Sequence, residues 1–216
     1  IRPPPRSTLF PYTTLFRSEQ LATELFPHSQ LDALQTDRSV DMALNIPGAG
    51  RFRAHAYYQR GCVSIALRKL SDSALCLQSL GLPAALSRLS ELKDGLVLVT
   101  GATGSGKSTT LAALINRINE SDCRHILTIE DPIEYVHENK MSIINQRELH
   151  TDVDTFADAL RAALRADPDV ILVGEMRDTD TTRTALMAAE TGHLVFSTLH
   201  SRDAVASITR ILGMFP

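Results

Sequence analysis

The sequence predicts an α/β protein, in which a parallel β-sheet flanked by helices follows a smaller α+β region. From residue 95 onward, short apolar runs alternate with helical patterns, which is typical of parallel strands with helices on both faces of the sheet. Between residues 39 and 68, three strand-like runs are separated only by short turn sequences, which favours an antiparallel sheet. The 216 residues are enough for one or two domains with sizeable cores.

The composition is that of an ordinary globular protein, with 44% hydrophobic and 22% charged residues. The net charge of −3 gives no indication of binding to nucleic acid or to an anionic membrane surface. No apolar run approaches the roughly 18 to 20 residues of a membrane span. The 3 cysteines lack C-x-x-C spacing, so we predict neither a disulfide framework nor a zinc site and expect reduced thiols in the cytoplasm.

Residues 1–18 differ in sequence pattern from the rest of the chain. They repeat a short Thr-Leu-Phe run, at residues 8–10 and 14–16, and show no helical or strand period. A signal peptide is excluded because a continuous apolar stretch is missing. We interpret the segment as translated adapter or vector sequence, with a disordered proline-rich arm as the alternative. The predicted domains that follow this leader are residues 19–94 and residues 95–216.

The first predicted domain has the pattern of a small α+β fold. Four leucines indicate one or two short helices interrupted by Pro27: Leu21, Leu25, Leu31 and Leu34. The three strands of the antiparallel sheet are predicted at residues 39–46, 51–59 and 62–68. One further helix is predicted at residues 73–92, broken by the glycine and proline near residues 81–83.

The second predicted domain contains the alternating strands and helices. Strands are predicted at residues 96–99, 126–129, 170–173 and 194–199. Helices are predicted at residues 108–119, from Asp154 to a stop before Pro168, from its cap Asp178 to Gly192, and from Asp203 to Leu212. Because the run at 170–173 is entirely apolar, we expect it in the centre of the sheet.

A glycine-rich loop lies between the first of these strands and its helix. Residues 101–108 match the spacing G-x-x-x-x-G-K-S, in which glycines let main-chain N–H groups surround phosphate oxygens at a helix start. We expect Lys107 to reach the β- and γ-phosphates and the Ser108 hydroxyl to ligate Mg²⁺. The predicted nucleotide-binding residues are Gly101, Ala102, Thr103, Gly104, Ser105, Gly106, Lys107, Ser108 and Thr109.

Ligands of open parallel sheets bind at the carboxyl ends of the strands. This rule decides which of two carboxylates can lie near the nucleotide. Asp169 and Glu175 bracket one strand and are about 20 Å apart in an extended chain, so only Glu175 is at the nucleotide end. The usual second nucleotide motif has an acidic residue where this chain has Gly174. We therefore predict that Glu175 serves Mg²⁺ through bound water or orients the attacking water. A helix-capping role is the alternative.

Two histidines bracket the fourth strand in the same way, about 23 Å apart. His200 lies at the carboxyl end, where it can hydrogen-bond the γ-phosphate and sense its loss. A strand-end histidine is often only a satisfied surface group, and that alternative stays open. His193 belongs to the opposite end, and we expect it to be structural.

Three acidic residues crowd the end of the second strand: Glu130, Asp131 and Glu134. A carboxylate there can accept a proton from, or orient, the water that attacks the γ-phosphate. Pro132 makes the chain turn after Asp131, so Glu134 can fold back over the site. The spacing does not choose between Glu130 and Glu134.

Four arginines alternate with apolar residues along the predicted antiparallel strands: Arg51, Arg53, Arg60 and Arg68. Such a row usually forms the solvated face of a sheet. Beside a triphosphate, an arginine can instead neutralise charge that develops on the γ-phosphate, including from a neighbouring subunit.

Four segments resemble, in fixed order, the motifs of the type II/IV secretion ATPases. They are similar to the Walker A, aspartate, Walker B and histidine boxes and lie at residues 101–110, 126–134, 167–178 and 191–200. The sequences of these boxes are most similar to those of the type IV pilus retraction (twitching-motility) ATPases. Residues 47–53 also resemble part of the domain that precedes the boxes in that family. The resemblance covers residues 19–216.

The resemblance implies a RecA-like P-loop core preceded by part of a PAS-like domain, with ATP and Mg²⁺ between the two domains. It implies that Glu134 is the catalytic base, Glu175 the Walker B acid and His200 a γ-phosphate contact. Arg53 and Arg68 match arginines that lie near the nucleotide across domain or subunit boundaries. The implied assembly is a homo-hexamer that works with an inner-membrane pilus platform protein. No nucleic acid and no membrane insertion are implied, and the implied location is the cytoplasm, at the inner face of the cytoplasmic membrane.

Chains of this family are longer at both ends, so we expect this chain to lack part of the first domain and the C-terminal helical region. Two alternatives to a retraction motor stay open. Against a pilus-assembly or type II secretion ATPase stand the missing tetracysteine zinc insertion and the compact spacing between the first two boxes. Against a module that only binds nucleotide stand Glu134 and Glu175, because binding alone needs neither carboxylate.

Overall fold

The computed structural model describes residues 15–70 and 76–215, and the chain divides into two compact units, Ile1–Asp72 and Ser73–Pro216. The sequence interpretation placed the domain boundary later, between residues 94 and 95. The difference arises because Leu77, Leu82 and Leu89 pack into a core of the second unit. The segment before the first parallel strand therefore folds with the sheet that follows it.

The first unit is a small α+β fold with a three-stranded antiparallel sheet, in the order β1-β2-β3. Its elements are α1 (Leu15–Leu25), α2 (His28–Asp37), β1 (Ser39–Ile46), β2 (Gly50–Gln59) and β3 (Cys62–Lys69). The two helices on either side of Pro27 and the three predicted strands are confirmed. Helix α1 begins within the predicted leader, and the Ser18 hydroxyl donates a hydrogen bond to the Val63 carbonyl oxygen at 2.6 Å. The rest of that leader, residues 1–14, lies outside the described residues.

The two faces of this sheet differ in character. Ala54 and Ala56 of β2 are fully buried in a core with residues of α1, α2 and the other two strands. Because side chains alternate along a strand, Arg53 lies on the opposite face, directly across from Arg68 in the register. The arginines of β2 and β3 thus share the face that points away from the core, as the alternation predicts.

The second unit is a five-stranded parallel sheet in the order β4-β8-β7-β5-β6, with helices on both faces. Its strands are β4 (Gly95–Thr100), β5 (His125–Glu130), β6 (Ile143–Glu148), β7 (Val170–Val173) and β8 (Leu194–Leu199). Its helices are α3 (Lys107–Ser121), α4 (Phe156–Ala163), α5 (Thr179–Glu190) and α6 (Ala204–Leu212). The predicted α/β class is confirmed, and β7 is the central strand, with all of its residues buried.

Apolar layers on both faces hold the sheet. Helix α3 buries Leu114, Ile115 and Ile118 against one face, and α4 and α5 bury residues such as Leu160 and Ala185 against the other. Since burial on both faces removes much apolar surface from water, it stabilises the sheet that carries the loops at its carboxyl edge. None of the helices in the described parts of the chain has the length and apolar character needed to cross a membrane.

Three sequence-based expectations for the second unit are corrected. The helix predicted at 73–92 is wrong: residues 77–81 form turns, a 3₁₀ helix spans Ala84–Glu91, and residues 71–75 lie outside the described chain. Strand β6 was not predicted, because its sequence Ile-Ile-Asn-Gln-Arg-Glu is largely polar. Helix α4 is capped by Thr155, whose hydroxyl accepts a hydrogen bond from the Asp158 main chain, and does not begin at Asp154.

Candidate active site

The glycine-rich loop connects β4 to α3 at the carboxyl edge of the sheet. Gly101 and Gly106 have φ angles of 152° and 91°, in the left-handed region that favours glycine. A Cβ atom on Gly101 would also lie only 2.7 Å from the Ser105 hydroxyl oxygen. A side chain at Gly101 would therefore displace the Ser105 hydroxyl and be strained by the positive φ angle.

Lys107 is the first residue of α3 and is buried. Its Nζ donates hydrogen bonds to the carbonyl oxygens of Gly101 and Ala102, both at 3.0 Å. The ammonium group thus lies within the curve of the loop. Phosphate oxygens are stronger acceptors for an ammonium group than neutral carbonyls are, so this cradle fits a phosphate chain.

The two hydroxyl residues that follow lie on the first turn of α3. Ser108 is exposed, so its hydroxyl is accessible to a ligand. Thr109 Oγ1 lies 3.0 Å from the Tyr135 hydroxyl, which belongs to the loop after β5. This contact joins the loop that carries Glu134 to the first turn of α3.

A chain of polar contacts leads from Lys107 across the strand ends. Its Nζ lies 3.5 Å from His200 Nδ1 after β8, and His200 Nε2 lies 3.4 Å from Glu175 Oε1 after β7. Arg177 Nε donates to Glu175 Oε2 at 2.8 Å, and its NH1 lies 3.7 Å from Asp131 Oδ2 after β5. The structure therefore brings Lys107, His200 and Glu175 together, as the strand-end rule predicts.

Glu175 does not cap a helix. The N-cap of α5 is Asp178, as the sequence predicts, and its carboxylate accepts both the main-chain N–H and the hydroxyl of Thr181 at 2.8 Å. Arg177 was missed by sequence reasoning. Its position two residues after Glu175 is the only signal that could have suggested the contact.

The other bracketing residues lie at the opposite edge of the sheet. Asp169 Oδ2 accepts the main-chain N–H of His125 at 2.7 Å, at the start of β5. The Nδ1 atom of His193 lies 3.0 Å from the Ala188 carbonyl oxygen, next to the end of α5. Both residues have structural partners there, which confirms their separation from the phosphate loop.

Gly174 lies where the ends of β7 and β5 come close together. A Cβ atom on Gly174 would lie 3.3 Å from the Ile129 carbonyl oxygen and 3.4 Å from Glu130 Cα. A larger residue at this position would therefore require the end of β5 to shift slightly.

The two candidate bases after β5 have different surroundings. The pKa of Glu130 is raised to about 7, chiefly by burial and in smaller part by the charge of Glu134, although hydrogen bonds from Thr128 and Gln146 oppose this shift. Thr128 Oγ1 and Gln146 Nε2 donate to Glu130 Oε1 at 2.8 and 3.1 Å. Both residues are half-buried, but Glu130 Oε1 already accepts two hydrogen bonds from protein groups. Glu130 is therefore the less available of the two carboxylates for a ligand.

A cavity of about 440 Å³ opens beside the phosphate loop. It is lined by Gly101, Ala102, His200, Ser201 and Arg202. Arg202 was not singled out from the sequence, although its place two residues after His200 puts it past the end of β8. The cavity thus adds a cationic side chain to the end of the loop at which Lys107 and His200 meet.

The arginines singled out from the sequence lie in the first unit. Arg53 and Arg68 are register partners in β2 and β3, and Arg53 NH2 lies 3.9 Å from Asp41 Oδ1. The Arg53 side chain is 37% exposed, so it can contact further groups.

A metal site made of protein groups alone is not found within residues 15–70 and 76–215, where no cluster of three or more His, Cys, Asp or Glu side chains could hold an ion. Ser108 and Glu175 offer a hydroxyl and a carboxylate at the carboxyl edge of the sheet. This small donor set fits Mg²⁺, which keeps several waters and takes its remaining ligands from one or two carboxylates and from the phosphates of a nucleotide.

Comparisons with known proteins agree with this geometry. The family model described as "Type II/IV secretion system protein" matches residues 35–215. The chain is 52% identical over 176 residues to the type IV pilus retraction ATPase PilT of Pseudomonas aeruginosa, covering 82% of this chain and 51% of that protein. It is 50% identical over 196 residues to a twitching motility protein of Neisseria gonorrhoeae, covering 91% of this chain and 52% of that protein.

A solved structure of the pilus retraction motor PilT with bound ADP superimposes with a TM-score of 0.88 at 54% identity. The match covers 92% of this chain and 58% of the PilT chain. The chain spans about half the length of the Pseudomonas and Neisseria relatives, 51% and 52% respectively. With the family match covering residues 35–215, this chain belongs to the type II/IV secretion system protein family.

Proposed function

We propose that this chain binds ATP with Mg²⁺ at the phosphate loop and hydrolyses it to ADP and phosphate. The observation that carries the proposal is the buried Lys107 ammonium group, held inside the glycine loop and in contact with His200, which in turn contacts Glu175. These three residues come from separate parts of the sequence and meet where a triphosphate would end.

Each residue of the site has a proposed role. Main-chain N–H groups of residues 101–109 hold the phosphates, and Lys107 releases the Gly101 and Ala102 carbonyls to bind the β- and γ-phosphates. Ser108 and Glu175 hold Mg²⁺, which would offset the negative charge of the phosphates. Glu134 accepts the proton of the attacking water, and His200 contacts the γ-phosphate.

We further propose that hydrolysis in the longer protein powers type IV pilus retraction. The names of the Pseudomonas and Neisseria relatives support this, as does the greater share of this chain that they cover. Type II secretion is the alternative: the type II secretion protein E of Aeromonas hydrophila is 48% identical over 157 residues but covers only 70% of this chain. The proposed assembly is a homo-hexamer in the cytoplasm, at the inner face of the cytoplasmic membrane, that acts on a pilus platform protein.

The first unit takes part in this proposal through its arginines. We propose that it is part of the family's PAS-like domain and that Arg53 and Arg68 approach a nucleotide across a domain or subunit boundary. Their adjacent positions on the face away from the core support this, because two guanidinium groups side by side favour an anion. We expect Arg68→Ala to lower ATP turnover in the assembled protein while nucleotide affinity changes little. Equal turnover of Arg68→Ala and the wild type would contradict a role of Arg68 at the nucleotide.

Titration with a fluorescent ATP analogue tests the binding step. We expect Lys107→Ala to abolish detectable binding, because the loop then loses its buried positive charge. Lys93→Ala is the matched control, since Lys93 is an exposed lysine of the same unit and its loss should leave the affinity unchanged. Undiminished affinity of the Lys107→Ala variant would contradict the assignment of the loop.

A further inference from the structure

The loop that carries Glu134 has no regular secondary structure. Residues 131–142, between β5 and β6, form neither helix nor strand. Main-chain hydrogen bonds of a regular element therefore do not fix Glu134. Its position depends on side chains that reach this loop from neighbouring elements.

Gln146 of β6 makes three hydrogen bonds around the loop. Its Nε2 donates to the Tyr135 carbonyl oxygen at 2.8 Å and to Glu130 Oε1 at 3.1 Å. Its Oε1 accepts the main-chain N–H of His137 at 2.8 Å. The side-chain amide of Gln146 thus joins Glu130, at the end of β5, to the main chain of Tyr135 and His137, within three residues after Glu134.

Glu148 binds the main chain on the N-terminal side of Glu134. It is buried at 8% exposure, and its Oε2 accepts the main-chain N–H of Ile133 at 3.0 Å. Gln146 and Glu148 lie two positions apart on β6 and so share one face of the strand. The residues on either side of Glu134 are therefore both attached to β6.

The face of β6 that carries these residues changes from apolar to polar along the strand. Ile144, on the same face, packs into an apolar core with residues of α3. The next two side chains on that face are polar: Gln146 binds Glu130 and main-chain groups of the loop, and Glu148 binds the Ile133 main chain and the Thr151 hydroxyl. Tyr135, which contacts Thr109 beside the phosphate loop, is one of the residues they hold.

We propose that Gln146 and Glu148 are positioning residues for hydrolysis, which fix the main chain on both sides of Glu134 so that its carboxylate faces the attacking water. This inference rests on the proposed ATPase function. It assigns edge strand β6 a role in the reaction, because misplacing a catalytic group by about 1 Å can cost 100-fold in rate.

Steady-state kinetics and nucleotide titration of Gln146→Met provide the first test. Methionine keeps the length and approximate volume of glutamine and removes all three hydrogen bonds. We expect kcat to fall about tenfold or more, with ATP affinity changed less than about threefold, because the loop acts on the reacting water and not on the phosphate cradle. Asn145→Leu is the matched control, since Asn145 is an exposed amide on the opposite face of β6, and its kcat should stay near that of the wild type.

Hydrogen exchange of the loop separates this inference from the proposed function. In Gln146→Met, we expect amides of residues 131–139 to exchange about tenfold faster or more, while those of α3 and the central strands are unchanged. Unchanged loop exchange, or a loss of affinity equal to the loss of kcat, would overturn the positioning role. A wild-type protein that binds ATP without hydrolysing it would instead contradict the proposed function, whatever the loop exchange shows.

Discussion

Single residues at the carboxyl edge of the parallel sheet form one connected polar network. Lys107, His200 and Glu175 follow one another within 3.5 Å, and Arg177 continues the network to Asp131. Arg177 lies between two carboxylates at neighbouring strand ends and reduces their mutual repulsion.

His137 makes the stability of the protein depend on pH. Its pKa is lowered to about 4, chiefly by burial and also by the charge of Lys140, and its Nδ1 atom has no hydrogen-bond partner among the described residues. In an unfolded chain the pKa is near 6.5, so between about pH 6.5 and pH 4 the unfolded state binds one proton more. The free energy of unfolding therefore falls as the pH falls through this window.

Urea unfolding of His137→Gln at about pH 7.5 and about pH 5 tests this dependence. The variant should lose less stability than the wild type over this interval, by at most about 2 kcal/mol, because glutamine takes up no proton. Glu130, whose raised pKa of about 7 gives the opposite slope between about pH 4.5 and pH 7, is present in both proteins and cancels from the comparison. Identical pH dependence of the two proteins would show that His137 is not held neutral.

The sequence was sufficient to predict that Glu175 and His200 lie near the glycine-rich loop, because strand direction alone assigns them to the carboxyl edge of the sheet. It could not identify Gln146 or Arg177. Their contacts depend on which strands are neighbours in the sheet, and β5 and β6 pair without any signal in the spacing of their residues. The spacing of residues likewise left the choice between Glu130 and Glu134 open, and only the family resemblance favoured Glu134.

At the scale of elements, predictability followed the strength of the apolar pattern. Strands β7 and β8 were predicted with their observed bounds because β7 is entirely apolar, β8 is mostly apolar, and both are buried on both faces. Strand β6 has two apolar residues followed by four polar ones at the edge of the sheet, and the polar side chains contact groups outside the strand. The 3₁₀ helix was overpredicted as an α-helix, since its leucines pack against the sheet without a long regular helix.

Helix α5 depends on its cap more than α6 does. Asp178 accepts two hydrogen bonds from the fully buried Thr181, whereas Asp203 accepts one from Ala206 at the exposed start of α6. We expect Asp178→Ala to lower the free energy of unfolding by about 2 kcal/mol and the control Asp203→Ala by about 1 kcal/mol or less. Chemical denaturation measures both, and an equal cost would mean that the buried hydroxyl of Thr181 finds another partner.

At the scale of the whole molecule, the described chain contains a phosphate loop, its strand-end partners and a separate α+β unit. Family relatives are about twice as long, with 51% of the Pseudomonas protein and 52% of the Neisseria protein matched. Lys107, Glu134, Glu175 and His200, the residues proposed for binding and hydrolysis, all lie in the second unit, whereas force production is a property proposed for the longer protein. Chemistry and movement can therefore be tested separately.

Phosphate release from ATP by the wild-type protein and by Glu134→Gln, measured beside nucleotide affinity, tests the central claim most directly. The amide keeps the shape of the side chain but cannot accept the proton of the attacking water. We expect equal affinity and a rate of phosphate release lower by about 100-fold or more. Phosphate release at the wild-type rate from Glu134→Gln would contradict the assignment of Glu134 as the base.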